Sequence, residues 1–326
     1  MPKVWRPDPE PTQLNLIETS FAHEADDLPI EKIIRELHTL RMASQARRYR
    51  GAPPDLPSRD DTVSAVEGLV AALYPRHFGP AGLRAKDVDR FVGRKLAESL
   101  MSLRRQIELE LRLAGEREGH AHALTRHAAN IIAEFADHLP GVRALLDADV
   151  RAAYTGDPSA KSIDEVVFCF PGVGALIRHR LAHQLYLLGA PMLARIIAEK
   201  AHSDTGIDIH PGAQIGEGFF IDHGTGVVIG ETTIIGRNVR LYQAVTLGAK
   251  RFVSDGDGQL LKNYPRHPII EDDVVIYAGA TVLGRITLGR GASIGGNVWL
   301  THSVPPGAII TQAKASEDIL LDGAGI

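Results

Sequence analysis

Two kinds of hydrophobic spacing divide the chain. From about residue 28 to 205, apolar positions recur at intervals of three and four. In "IEKIIRELHTLRMASQARRYR", Ile33, Ile34, Leu37 and Leu40 fall on one face, with Lys and Arg gathering towards the end, as in an amphipathic helix. "DVDRFVGRKLAESLMSLRRQIELELRLAG" repeats the pattern over several turns and stops at a glycine, and further helices are predicted at about 126–138, 142–154, 172–187 and 190–203. This half reads as a helical bundle.

Beyond Gly206 the interval becomes six. Ile209, Ile215 and Ile221 form one register, Ile229, Ile235, Leu241 and Leu247 a second, and Ile270, Ile276, Val282, Leu288, Ile294 and Leu300 a third. Four residues after most of these marks stands a small or β-branched residue such as Ala213, Val239, Val274 or Ala292, and glycine commonly follows the mark itself. A period of six fits neither a helix nor a two-residue strand alternation. It predicts a parallel β-helix in which three hexapeptides make one triangular coil and the marks stack inside. The expected class is therefore α+β: a lead-in over 1–27, a helical domain over 28–205, a β-helix over 206–308 and a tail over 309–326.

The six-residue register breaks twice. Eight residues separate Ile221 from Ile229, so two extra residues enter where Asp222 and His223 project from the coil. Twenty-three separate Leu247 from Ile270, and the excess is a polar loop over about 249–268 that ends in Arg266, His267 and Pro268. Breaks in a consistent pattern are where function is expected. Asp208 lies fifteen residues before His223, close to one coil, so the two could stack as a carboxylate–imidazole pair suited to general-base work. The alternative is a histidine that caps a corner through the backbone.

Composition narrows the setting. The 326 residues are 44% hydrophobic and 23% charged with a net charge of −4, which gives no electrostatic reason to expect nucleic acid or an anionic membrane as partner. The single cysteine, Cys169, has no internal partner for a disulfide, and no apolar run has the length of a membrane span or the form of a signal peptide. A cytoplasmic location is expected. His179 and His183, four apart, read as a helical stripe, and His120 and His122 likewise carry no site. A zinc hydratase on the same β-helix would need His210, His223 and His267 to converge on a metal. A third reading makes the chain a scaffold that binds a partner through its tail.

The motifs themselves resemble those of the serine O-acetyltransferases, hexapeptide-repeat acyltransferases of cysteine synthesis, and in particular a longer bacterial subgroup. The resemblance runs from about Asp157 to Val304 and rests on "GDPSA" (156–160), "IDIHPGAQIGEGFFIDHGTGVVIGETTIIG" (207–236), "PRHP" (265–268) and "VPPG" (304–307). It implies a left-handed β-helix, a homotrimer or dimer of trimers, and an active site between adjacent subunits. His223 would be the general base and Asp208 its orienting partner. Asp157 and Asp222 would hold the ammonium of L-serine, and Arg266 and His267 its carboxylate, a division of charge that suits a zwitterion. Acetyl-CoA would be the co-substrate, near Ala249, Ala278, Gly279 and Gly296, with no metal. "LGA" (247–249) departs from the family's "LGG", which leaves Ala249 as the backbone donor to an oxyanion. By itself the tail "ASEDILLDGAGI" reads as a frayed terminus, but its Gly-x-Ile ending resembles that of family members, and that resemblance implies that Ile326 inserts into O-acetylserine sulfhydrylase. The runner-up activity is acetyl transfer to another hydroxyl acceptor, such as a sugar or an antibiotic, for which the Asp157 segment has no use.

Overall fold

The structure is a computed structural model that describes residues 28–49, 51–114, 121–254, 256, 258–262 and 264–312. The expected lead-in and the tail residue Ile326 lie outside the described residues. The chain divides into two compact units, 1–55 and 56–326. The first contains helix α1 (Ile30–Arg48), which buries none of its residues and leaves Ile33, Ile34, Leu37 and Leu40 exposed. The division at Asp55 falls within the span 28–205 expected as the helical domain. Every later helix shares its unit with the strands.

That unit contains α2 (Arg59–Leu73), α3 (Pro75–Phe78), α4 (Val88–Ala114), α5 (Ala121–Gly156), α6 (Ile163–Cys169), α7 (Pro171–Leu187) and α8 (Pro191–Thr205). The sequence pattern does not reveal α2 or α6, although each begins at a serine, Ser58 or Ser162, whose hydroxyl accepts the N–H three residues on. The two helices expected at 126–138 and 142–154 are one, running through Pro140. An interior proline usually ends a helix. Here Ile131, Phe135, Leu139, Val142, Leu146, Val150 and Ala153 stay buried at three- and four-residue spacing on both sides of it, so burial of one continuous stripe outweighs the lost hydrogen bond.

The strands after Gly206 form three parallel faces, as the six-residue period requires. On the first face Ile209, Ile229 and Leu247 stack in register, followed by Val282 and Leu300. The second stacks Ile215, Ile235, Ile270 and Leu288, and the third Ile221, Leu241, Ile276, Ile294 and Ile310. These partners are eighteen residues apart where the repeat is unbroken, as Ile229 and Leu247 are. They are twenty apart across His223, as Ile209 and Ile229 are, and thirty-five apart across the loop, as Leu247 and Val282 are. All of these residues are buried except Ile215, half-buried at the first coil of the second face, and Ile310, half-buried at the last coil of the third.

The helices are fastened to this coil through polar and backbone contacts. Asp149 on α5 and Arg180 on α7 form a buried double hydrogen bond at 2.6 and 2.8 Å. Asp149 also accepts the Phe219 N–H, and Arg180 donates to the carbonyls of Ile215 and Gly216. Each buried charge thus has a full set of partners; leaving one alone costs about 3–5 kcal/mol. Gly172 on α7 lies so close to the coil that a Cβ there would sit 2.3 Å from the Ile221 carbonyl oxygen. Gly172→Ala should therefore destabilise the protein by about 1–3 kcal/mol in urea unfolding. Gly174→Ala, where a Cβ would meet only the Arg178 guanidinium at 3.8 Å, should be neutral or stabilising. Equal effects at the two sites would mean that the close approach does not fix the helix.

Candidate active site

Two polar groups stand on different corners of the triangular coil. The first lies where the third face turns into the first. Corner turns stack there through N–H···O=C bonds from Gly226 to Gly206, Ala244 to Thr225, Gly279 to Gln243 and Asn297 to Ala278. The inserted residues interrupt this column with a tight turn: the Gly224 N–H donates to the Asp222 carbonyl at 2.7 Å, and His223 between them has φ +61°. A left-handed non-glycine residue in such a turn stores strain on the order of 1–3 kcal/mol. Gly224 is required beside it, because a Cβ there would lie 2.4 Å from Ile207 Cδ1. The insertion thus pushes the imidazole outward, with a side chain 70% exposed.

Asp222 is buried under this turn. Its Oδ2 accepts a 2.6 Å hydrogen bond from Arg240 Nη2, and its Oδ1 is 3.8 Å from His223 Nδ1. Asp157 reaches the same corner from the end of α5. Gly156 packs on Phe220, which would stand 2.9 Å from a Cβ. The Asp157 carboxyl is held below its ordinary value, first by the Ser159 N–H it accepts and further by the positive charge of Arg240. It is a carboxylate at neutral pH. Asp208 differs from expectation: the coil is twenty residues long here, so its register partner is Val228 and not His223, and it makes no hydrogen bond to that ring. It lies near the turn through the Gly206–Gly226 ladder bond, with Glu199 and His202 beside it. These three are the one set among the described residues whose ligand atoms, all within 4.8 Å of one another, could hold a metal.

The second group lies where the first face turns into the second. Arg266 Nη2 donates to Glu231 Oε2 at 2.6 Å, and Tyr186 donates to the other carboxylate oxygen at 3.1 Å. The Thr232 hydroxyl accepts the N–H groups of both Arg266 and His267, and the Thr232 N–H donates to His267 Nδ1 at 3.0 Å. Arg285 Nη1 donates to the carbonyls of Thr232 and His267. Gly230 makes room for the imidazole, since a Cβ would overlap it at 2.1 Å. Burial, reinforced by the Arg266 charge, pushes the His267 pKa down to about 4. With Nδ1 accepting from Thr232, neutral His267 carries its proton on Nε2.

Of the positions expected to meet acetyl-CoA, Ala278, Gly279 and Gly296 stack in the His223 corner column, whereas Ala249 follows the first-face strand Thr246–Gly248 at the other corner. His223 and His267 stand on separate corners, so one chain does not gather the three histidines of a hydratase.

Comparison with known proteins gives this arrangement a family. Residues 267–302 match the bacterial transferase hexapeptide model of six repeats. A serine acetyltransferase of Synechococcus elongatus is 56% identical over 83% of this chain and 86% of its own length. The chain belongs to the serine acetyltransferase family. Another relative, from Mycobacterium tuberculosis, is 49% identical over 50% of this chain and 67% of its own. Among solved structures, serine acetyltransferase isoform 3 of Entamoeba histolytica in complex with cysteine superposes with a TM-score of 0.66 at 34% identity, covering 83% of this chain and 86% of that one. The β-helix is accordingly the left-handed helix of this family.

Spacing alone does not single out Arg240, Tyr242, Tyr277, Glu231 or Thr232. A signal for two of them is present in the sequence: Tyr242 and Tyr277 follow the inward marks Leu241 and Ile276 just as Asp222 follows Ile221. Their rings stack at 5.1 Å beside the His223 corner.

The depressed His267 pKa has a measurable consequence. The unfolded chain takes up this proton near 6.5 and the folded one only near 4, so the folded state binds fewer protons between those values. Its contribution to stability is complete above about pH 6.5 and is lost as pH falls towards 4. Urea unfolding from pH 7 to 4 should show stability falling across that window, and less steeply in His267→Gln. A slope unchanged by the substitution would contradict the shift.

Proposed function

We propose that the protein transfers the acetyl group of acetyl-CoA to the hydroxyl of L-serine, forming O-acetylserine and CoA as the first step of cysteine biosynthesis. The observation that carries the reading is the exposed His223 imidazole on its strained turn, beside two carboxylates, in a chain of this family. Serine would place its ammonium between Asp157 and Asp222 Oδ1, and its carboxylate on the Arg266 and His267 group. Its hydroxyl then faces His223. As the serine oxygen bonds to the acetyl carbon, His223 takes the hydroxyl proton and the carbon–sulfur bond of the thioester breaks. The thiolate leaves as CoA and recovers a proton from the imidazolium. A backbone N–H, for which Ala249 is the candidate, supports the developing oxyanion. Asp208, which makes no hydrogen bond to His223 in this structure, would have to move to orient it, and no step uses a metal.

A serine molecule is too short to touch two corners of one coil. The reading therefore requires that a neighbouring copy bring its Arg266 and His267 to this chain's His223, as a homotrimer or dimer of trimers would. Ala278, Gly279 and Gly296 offer the small side chains along which a pantetheine arm would run. No helix among the described residues is long and apolar enough to cross a membrane, and a cytoplasmic location is proposed with the pathway. The partner proposed for Ile326, O-acetylserine sulfhydrylase, rests on the resemblance of the Gly-x-Ile ending to that of the family.

Thiol release from acetyl-CoA in the presence of serine tests the reaction. His223→Ala should lower kcat by about 10²–10⁴-fold, the ordinary worth of a general base, with the far-ultraviolet dichroism and oligomer size unchanged. Turnover close to that of the unaltered protein would overturn the assignment.

A further inference from the structure

Arg240 connects the parts of the ammonium subsite. It stands one coil above Phe220 on the third face, in register with it. Its guanidinium carbon lies 4.9 Å from the centre of the Phe220 ring and 4.6 Å from that of Tyr242. Tyr242 is in turn backed by Tyr277, with the two rings nearly parallel. Nη2 donates to Asp222 Oδ2 at 2.6 Å, and Nε is buried without a partner. The same Phe220 ring is the surface against which Gly156 packs, and Gly156 is the residue that delivers Asp157.

This geometry constrains the acceptor. Two carboxylates side by side would offer two negative charges to a single ammonium. With Arg240 bound to one of them, the group of Asp157, Asp222 and Arg240 carries one net negative charge. The bond also commits Asp222 Oδ2, so that Oδ1, on the His223 side, is the oxygen left to a ligand. A guanidinium held over two aromatic rings is fixed in plane and direction in a way a lysine is not.

We infer that Arg240 is a positioning residue for the acceptor's ammonium: it holds Asp222 with Oδ1 towards His223 and balances one of the two carboxylate charges, so that the subsite is matched to one primary ammonium. The inference rests on the serine reading given above. It concerns binding of the acceptor and leaves proton transfer to His223.

Steady-state kinetics on the full-length protein test it. Arg240→Leu should raise the KM for serine about 10-fold, a typical coupling for one charged pair, with kcat and the KM for acetyl-CoA within about twofold. Arg240→Lys, which keeps the charge and loses the planar fork, should recover part of the loss. The double variant Arg240→Leu, Asp222→Asn should bind serine no worse than Asp222→Asn alone, because the arginine acts through that carboxylate. An arginine that merely stabilised the fold would lower the melting temperature, leave the KM for serine unchanged and add its effect to that of Asp222→Asn. Either an unchanged KM or additivity overturns the inference. Should Arg240→Leu fail to fold, the same cycle with Arg240→Lys decides between the two roles. Absence of serine acetylation in the unaltered protein would instead overturn the reaction itself, and this inference with it.

Discussion

The inward aliphatic residue at every sixth position, stacked on its counterpart in the next coil, is the constraint from which the rest of the structure follows. A slip of one residue would turn a buried isoleucine out to solvent and a polar neighbour into the column. Each coil must therefore bring its next mark back into register, whether eighteen, twenty or thirty-five residues lie between the partners. Extra residues have only one place to go, outward at a corner. The two-residue insertion at His223 and the long loop ending at His267 obey this rule, and Leu241 and Val282 are back in the column on the far side of each. His223 and the Arg266–His267 pair therefore stand at corners.

The helices complete what the coil begins. The Asp149–Arg180 pair binds the last part of α5 and the middle of α7 to the first coil, and the glycines at 172 and 156 let backbone and ring approach where a Cβ would not fit. Asp157 thereby reaches the Asp222 corner from a segment far away in sequence. The arrangement is sensitive to small changes for the same reason that it is well defined: Phe220 touches both the helix end and the Arg240 guanidinium.

Much of this is legible from spacing. The six-residue marks indicate the coil, and their interruptions point to His223, Arg266 and His267 before any fold is known. What spacing conceals is relative position across an insertion. Asp208 looks like a coil-mate of His223 when one counts fifteen residues, but the insertion lengthens that coil to twenty and sets Val228 beside it. Pro140 reads as a helix end because local propensity is all a sequence displays, whereas the stripe from Ile131 to Ala153 that overrides it is tertiary. Arg240 escapes sequence reasoning because a lone arginine on an outward strand position looks solvated. Only the two rings beneath its guanidinium and the carboxylate at its tip give it a role.

The separation of the two polar groups on different corners leads to the central claim, that a working site takes His223 from one copy and Arg266 with His267 from its neighbour. Mixing two inactive variants tests this directly. His223→Ala and Arg266→Ala proteins, unfolded together in equal amounts and refolded, assemble with both kinds of subunit. In randomly mixed trimers about a quarter of the sites would then have both halves intact. Recovery of about a quarter of the unaltered activity, absent when each variant is refolded alone, is the result the account predicts. No recovery in assemblies shown to contain both subunits would mean that each chain builds its site by itself.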